Sequence, residues 1–502
     1  MRDRDASAHI QQMNMGADTG AAFAYSAPRV FDGERILEDY AVIVENSMVT
    51  DVVPSLDLPP DFPVHRRSDC TIIPGLIDTH VHFMRWQGAV FLAYGVTAIR
   101  DTGNDLRWIL QRRKEWPKQL WPRILCMGPL LDGPSPNHPV VARRITDLAS
   151  ATTAVRETVA AGVDGIKLYV GVDPDWMSAM ARESHEGGLK ISMHCLANGV
   201  LVAGRSGIDE FYHLDGVLAD VWPDHPSGWL EVWGDPDFAK TWDRQLYVAD
   251  ATRDLGMTAT PTLAYWESQW RLRTEIGASS EERRYMPPEL SLWASAQRDP
   301  AAAVRWRRAL DAAQRFVGLL LERGVPVLAG SDTPCGGILP GQSLWRELSL
   351  LVEAGMSPEG ALRAATSGAA DFLERPQLGR LRKGQCADVV FVRGDLSKQI
   401  PEHPEIALVI RGGDVYRVRP EQGFGLCRHR DGDEKPEVLN AAASICPPIL
   451  TRDHAVYGGL DGKLHIVPLK GGKVQAFATA FGAPITAPVA VADGRVYAGC
   501  ED

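Results

Sequence analysis

From residue 71 to residue 372 the chain repeats one pattern, a short apolar run followed by a longer helical stretch. The runs fall at 71–77, 95–99, 165–169, 190–193 and 325–328, and the periodicity predicts helices over 147–161, 176–186 and 301–323. Strands separated by helices pair in parallel, because a parallel crossover needs a dozen or more residues. An α/β fold follows, and the number of repeats suits a distorted (β/α)8 TIM-type barrel. A doubly wound open sheet is the competing arrangement. Its dinucleotide-binding form is disfavoured, because no GxGxxG follows an early strand.

The flanks read differently. Residues 41–44 and 48–53 are apolar strands around the turn pair Asn46-Ser47, which predicts a hairpin, and strands recur at 385–392 and 406–410. All 14 tryptophans lie between Trp86 and Trp345, so the tail is another kind of sequence. Residues 419–438 are charged and turn-rich and read as a linker. Beyond them Ile445-Cys-Pro-Pro-Ile-Leu-Thr-Arg-Asp-His-Ala-Val-Tyr-Gly-Gly459 aligns in phase with Ile485-Thr-Ala-Pro-Val-Ala-Val-Ala-Asp-Gly-Arg-Val-Tyr-Ala-Gly499. A repeat of this period in short strands indicates blades of a β-propeller.

Composition limits the partners. A net charge of −11 argues against nucleic acid and against an anionic membrane surface. No apolar stretch is long enough to span a bilayer, and residues 1–20 lack the apolar core of a signal peptide. Eight cysteines, none at CxxC spacing, suggest neither a disulfide framework nor a zinc ribbon. The expectation is a cytoplasmic protein.

The chemistry concentrates at strand ends. In Pro74-Gly-Leu-Ile-Asp-Thr-His-Val-His82, His80 and His82 project to one side of a strand, as residues i and i+2 do. His194 and His213 each close a further apolar run, where a barrel presents side chains to its catalytic face. Asp332 follows the last run and adds a carboxylate. Lys167 sits in the middle of the apolar run Gly165-Ile-Lys-Leu-Tyr169, where a charge is costly unless lost or paired. Carboxylated by carbon dioxide it would be an oxygen donor for metals; a snorkelling or ion-paired lysine is the alternative. Tyr169 lies on the Lys167 side of the same strand and is a candidate hydrogen-bond donor to a substrate oxygen, with barrel packing as the alternative. His138, on the turn-rich loop 133–139, is a candidate at the barrel mouth, with a surface histidine as the alternative. Trp222, Trp229, Trp233, Trp242, Tyr265 and Trp266 are candidates for a pocket wall or for lid packing.

These motifs, together with Gly95-Val-Thr-Ala-Ile-Arg-Asp101, Gly330-Ser-Asp332 and Gly379-Arg-Leu-Arg-Lys-Gly-Gln-Cys-Ala-Asp388, resemble the metal-dependent amidohydrolase superfamily. The imidazolonepropionase-like and dipeptidase-like branch is the nearest in pattern, and the resemblance runs over 22–418. It implies a barrel over 73–376 and a small β-sandwich composed of 22–72 and 377–418. It implies two divalent metal ions, zinc by preference, with His80, His82 and Asp332 on one and His194 and His213 on the other. The N6-carboxylated Lys167 and a hydroxide would bridge them. Asp332 would serve as base and then acid in cleaving an amide of a small molecule.

Two other readings stay open. One is a one-metal deaminase or imidazolone-type cyclic amidohydrolase of the same superfamily, which would not need Lys167. The other is a non-catalytic, propeller-bearing scaffold. The tail, 439–502, resembles pyrroloquinoline-quinone-type repeats, but about one and a half blades cannot close a propeller, which takes about four or more. No quinone is therefore expected, and the tail reads as part of a fusion, a truncation or a joining error. A homo-oligomer is left open.

Overall fold

The computed structural model describes residues 22–225, 230–274 and 299–419, with short strands beyond them up to residue 497. The first barrel strand, Leu76–Val81, pairs in parallel with Val96–Asp101, and that strand with Arg123–Cys126. The chain then runs through Leu130–Asp132, which pairs with Ile166–Leu168. Parallel pairing continues through Ile191–His194, Glu210–Tyr212 and Thr258–Thr260.

The circuit closes without a regular eighth strand. Parallel bridges join Ala259 to Val327 and Val81 to Thr333. Between them Leu328 N donates to Ala259 O at 2.9 Å and Thr79 N donates to Ala329 O at 3.1 Å. The run 325–328, expected as a strand, is interrupted at its second position because Pro326 has no N–H to give to a ladder. A second expectation is also corrected. The run 71–77 is two strands: Cys70–Pro74 belongs to the flanking sheet and Leu76–Val81 to the barrel, with the chain changing sheets at Gly75.

The three helices expected from the sequence start on acidic caps. Asp147 accepts from Ser150 N ahead of Leu148–Ala160, Asp173 from Asp175 N ahead of Pro174–Glu186, and Asp299 from Ala301 N and Ala302 N ahead of Pro300–Glu322. In Pro300–Glu322, Trp306, Leu310, Ala313, Val317 and Leu320 recur at helical spacing and are buried on one stripe.

The flanking sheet draws on both ends of the barrel. Cys70–Pro74 pairs antiparallel with Val389–Arg393, which continues to Ile406–Arg411 and Asp414–Arg419. The hairpin Tyr40–Glu45 to Met48–Pro54 turns through Asn46 (φ 48°) and Ser47 (φ 65°), the left-handed pair of a primed turn. Within the span read as a linker, Gly425–His429 pairs antiparallel with Asp414–Arg419, and Glu437–Asn440 pairs with it in turn. Farther on, Ile449–Leu450, His454–Gly458, Lys463–Pro468 and Gln475–Ala478 form an antiparallel meander. The turns and side chains on which the propeller reading depends lie outside the described residues.

Inside the barrel a buried ion pair ties strands together. Arg100 Nη2 donates to Glu210 Oε1 at 2.7 Å, and Arg100 Nε donates to Thr79 O at 2.7 Å. Glu210 also accepts from Ser192 Oγ and Thr260 Oγ1, each at 2.6 Å. A buried charge pair of this kind is tolerable because its remaining hydrogen-bonding capacity is used.

Outside the barrel, Glu347 is buried on the helix Gln342–Glu353 and accepts from Ala264 N at 2.7 Å. Burial pushes its carboxyl from 4.5 up to about 8, so the fold keeps a proton that the unfolded chain has released. The stability this contributes is complete below the unfolded value and is lost as pH rises toward the folded one. Glu347→Gln should therefore gain on the wild type in urea midpoint between about pH 5 and pH 8. A constant difference between the two midpoints would contradict the assignment.

Candidate metal centre

His80 and His82 come from the C-terminal end of the first strand, as alternation requires, and Asp332 from the closing segment beside it. His80 Nε2 lies 3.2 Å, and His82 Nε2 3.4 Å, from Asp332 Oδ1. The donor atoms of these residues all fall within 4.8 Å of one another. Both ring nitrogens of His80 and Asp332 Oδ1 are buried and make no hydrogen bond. Buried acceptors that converge without sharing a proton are costly, and a divalent cation removes that cost. The donor set fits such an ion.

Local backbone holds the arrangement. Asp332 N donates to His80 O at 2.8 Å. A Cβ at Gly330 would come within 2.7 Å of the His80 Cβ, so no other residue lets the two segments approach this closely. Asp78 accepts from Ser331 Oγ at 2.6 Å and from Ser331 N at 3.0 Å, pinning the closing segment to the strand that carries His80. His82 Nδ1 lies 3.2 Å from Gly103 O, so that nitrogen is the donor and Nε2 keeps its lone pair toward Asp332.

His194 and His213 adjoin this cluster. Their ring centroids are 4.4 Å apart, and His213 lies 4.9 Å from His80. His213 Nδ1 is 2.6 Å from Thr262 Oγ1, whose own hydrogen goes to Pro261 O at 2.8 Å. The imidazole therefore donates at Nδ1 and keeps its Nε2 lone pair free. His194 Nε2 is 3.1 Å from Asp215 Oδ2, which leaves Nδ1 as its free lone pair. Burial holds His80 and His213 well below the usual histidine range, neutral and ready to donate a lone pair. His213 (φ 59°), Thr262 (φ 52°) and Asp332 (φ 61°) all occupy the left-handed region, so backbone strain collects at this centre.

Lys167 is buried in Ile166–Leu168 with Nζ 3.6 Å from the centroid of the Tyr212 ring. Burial pushes its amine from 10.5 down to about 7. Burial of a lysine in an apolar strand favours its uncharged form.

One cavity of about 690 Å³ collects His80, His82, His138, Lys167, Tyr169, His194, His213 and Asp332. All the metal-ligand and catalytic candidates named from the sequence thus meet in one place. His138 Nε2 is 3.1 Å from Tyr169 Oη. Burial raises the Tyr169 phenol, which stays protonated and able to donate. Of the aromatic candidates, Tyr265 lines the cavity, whereas Trp233 and Trp266 are core residues packed 5.5 Å apart. Trp229 lies outside the described residues.

Asp215, Thr262 and Asp132 escaped the sequence reading because each acts through a loop whose register is not readable. Only the position of Asp215, two residues after His213, hinted at a partner role. Asp132 is buried at the end of Leu130–Asp132 and accepts from Gly133 N and Gly171 N at 2.9 Å and from Asn137 N at 3.0 Å. One carboxylate thereby joins the loop that carries His138 to the loop that follows Tyr169. Asp132→Asn should lower kcat/KM by about tenfold through misplacement of this pair while leaving metal content unchanged. Unaltered kinetics would contradict that role.

A parallel barrel gathers imidazoles, a carboxylate and a buried lysine at the C-terminal ends of its strands, a donor set that fits a divalent cation. The comparisons narrow the class. The amidohydrolase family model matches residues 71–418 and the NagA composite domain matches residues 23–66. The chain belongs to the amidohydrolase family. It is 33% identical over 113 residues to an imidazolonepropionase of Anaeromyxobacter dehalogenans, covering 22% of this chain and 27% of the relative. It is 39% identical over 146 residues to a dihydroorotase of Syntrophobacter fumaroxidans, covering 24% of this chain and 32% of the relative. The matches thus span about a third or less of these curated relatives. The fold is similar to that of a Xaa-Pro dipeptidase, with TM-score 0.59 and 18% identity over 79% of this chain and 100% of that structure. No described helix is long and apolar enough to cross a membrane.

Proposed function

We propose that the protein is a binuclear, zinc-dependent hydrolase that cleaves the amide bond of a small molecule. One observation carries this reading: His80 Nε2 and Asp332 Oδ1 stand 3.2 Å apart, buried and without a hydrogen bond, in a cavity that also holds His82, Lys167, His194 and His213. His80, His82 and Asp332 would hold one ion, and His194 and His213 the other. Lys167, as its N6-carboxylate, would contact both. The names of the relatives support hydrolysis of a carbon–nitrogen bond.

Divalent ions in such a site supply Lewis acidity and lower the pKa of water from 15.7 to about 7. The chain's own residues do the rest. Asp332 takes the proton of the attacking water as the new C–O bond forms. It then gives that proton to the nitrogen as the C–N bond breaks, acting as base and then acid. The Tyr169 phenol donates to the oxygen that gains negative charge, and His138, 3.1 Å away, orients it. The substrate is a dipeptide, an N-acyl amino acid or a cyclic amide. Nothing in this reaction calls on nucleic acid, a membrane or a quinone.

A panel of N-acyl amino acids, dipeptides and cyclic amides, assayed before and after chelation, tests this reading. Hydrolysis that chelation abolishes and zinc restores is expected. Hydrolysis indifferent to the chelator, or none with any amide at full metal loading, would overturn it.

A further inference from the structure

The cavity lining mixes polar and apolar side chains. Asn104, His138, Tyr169 and Asp215 are polar members. Phe83, Met84, Trp108, Leu130 and Val141 are apolar, supplied by the ends of the first three strands and the segments that follow them. Val141 N donates to His138 O at 3.1 Å, so the apolar set runs up to the His138 loop. Phe83 and Leu130 are buried. Phe83 and Trp108 have ring centroids 6.3 Å apart. Met84 is 47% exposed, and Trp108 and Val141 are half-buried. Apolar surface of this size left open to water inside a cavity is characteristic of a binding wall rather than of packing.

The wall abuts the metal-ligand candidates. Gly103 O is 3.2 Å from His82 Nδ1, and a Cβ on Gly103 would come within 2.5 Å of Leu130 Cδ2 and 3.4 Å of His82 Cε1. Gly103 therefore lies between His82 and Leu130 and touches both. A group seated on the wall lies next to the atoms at which the reaction occurs. Among the described residues lining the cavity Lys167 is the single lysine or arginine, and it lies buried against Tyr212. Nothing on the apolar wall itself compensates a charge.

We infer that this wall is a specificity subsite for a bulky apolar group, aryl or branched alkyl, attached directly to one side of the scissile amide. The inference rests on the amide-hydrolase reading and names its substrate class. Binding such a group releases water from Met84, Trp108 and Val141, whereas a carboxylate placed there loses its hydration with no partner in return.

Two measurements test it. The first compares kcat/KM for amides carrying a phenyl group on the carbonyl side, a phenyl group on the nitrogen side, a methyl group only, and a carboxymethyl group. One of the phenyl compounds should exceed the methyl and carboxymethyl compounds by at least about tenfold. Trp108→Ala should collapse that ratio, as should Met84→Ser, whose exposed position makes a folding defect small. The second measures binding of benzohydroxamate against acetohydroxamate by titration calorimetry on the protein as isolated. The aryl compound should bind about tenfold tighter, and both substitutions should erase the difference. A carboxymethyl or methyl compound as best substrate, equal hydroxamate affinities, or a phenyl preference that survives both substitutions would overturn the subsite. If no amide is turned over, the hydrolase reading fails instead, and the hydroxamate pair alone decides whether the apolar subsite exists.

Discussion

Asp332→Asn is expected to reduce turnover of an amide substrate by about 10²–10⁴ while the protein keeps most of its metal. The asymmetry follows from what the side chain does. Asparagine still offers an oxygen in the place of Oδ1, close to His80 and His82, so the ligand shell is weakened rather than dismantled. It cannot accept a proton from water and return it to the leaving nitrogen, so the step that breaks the C–N bond loses its acid. The backbone argues the same way. Asp332 is held at φ 61° by its N–H to His80 O and by the Ser331 contacts to Asp78, and none of these uses the Asp332 side chain. Kinetics and elemental analysis on the same sample check the expectation. Turnover within tenfold of the wild type would show that Asp332 is a ligand and not the proton carrier.

Lys167→Met is expected to lose metal and activity together, with turnover down by about 10³ or more. Methionine fills nearly the same volume beneath Tyr212, so the barrel should remain folded, and far-ultraviolet dichroism can verify this. The chemistry rests on an amine that burial has brought to about 7. Its neutral form can attack carbon dioxide, forming an N–C bond and releasing one proton to give a carbamate anion. A protonated surface lysine near its ordinary value has no lone pair with which to do so. Acetate or propionate supplied in solution should restore part of the metal content and part of the activity, because a free carboxylate can take the vacated place. A Lys167→Met protein that holds its full complement of metal would contradict the role.

The sequence exposed the candidate ligands that this cavity brings together more readily than the residues that support them. His80 and His82 were legible because alternation on a strand fixes which side chains share a side, and Lys167 because a lysine amid apolar neighbours has few explanations. His194, His213 and Asp332 were legible as strand ends once a parallel barrel was assumed. Asp215 and Thr262 adjoin His194 and His213 from loops, and Asp132 ties the His138 and Tyr169 loops together from a strand end; their partners are set by tertiary approach that no local pattern encodes. The strand boundaries failed for related reasons. An apolar run does not say which sheet it joins, so 71–77 concealed a change of sheet at Gly75. Pro326 broke the expected strand at 325–328, and the barrel closed through isolated bridges instead. In the aromatic segment after His213, composition was a poor guide, because Trp233 and Trp266 serve the core and Tyr265 alone of the described candidates reaches the cavity.

The central claim is that two metal ions occupy this cavity and that both are needed. Zinc titrated into chelated protein, with metal per chain and amide hydrolysis followed together, tests it most directly. Saturation at two ions per chain is expected, with activity appearing only as the second is bound. Full activity at one ion per chain, or a chain that binds no metal and still hydrolyses the amide, would contradict it.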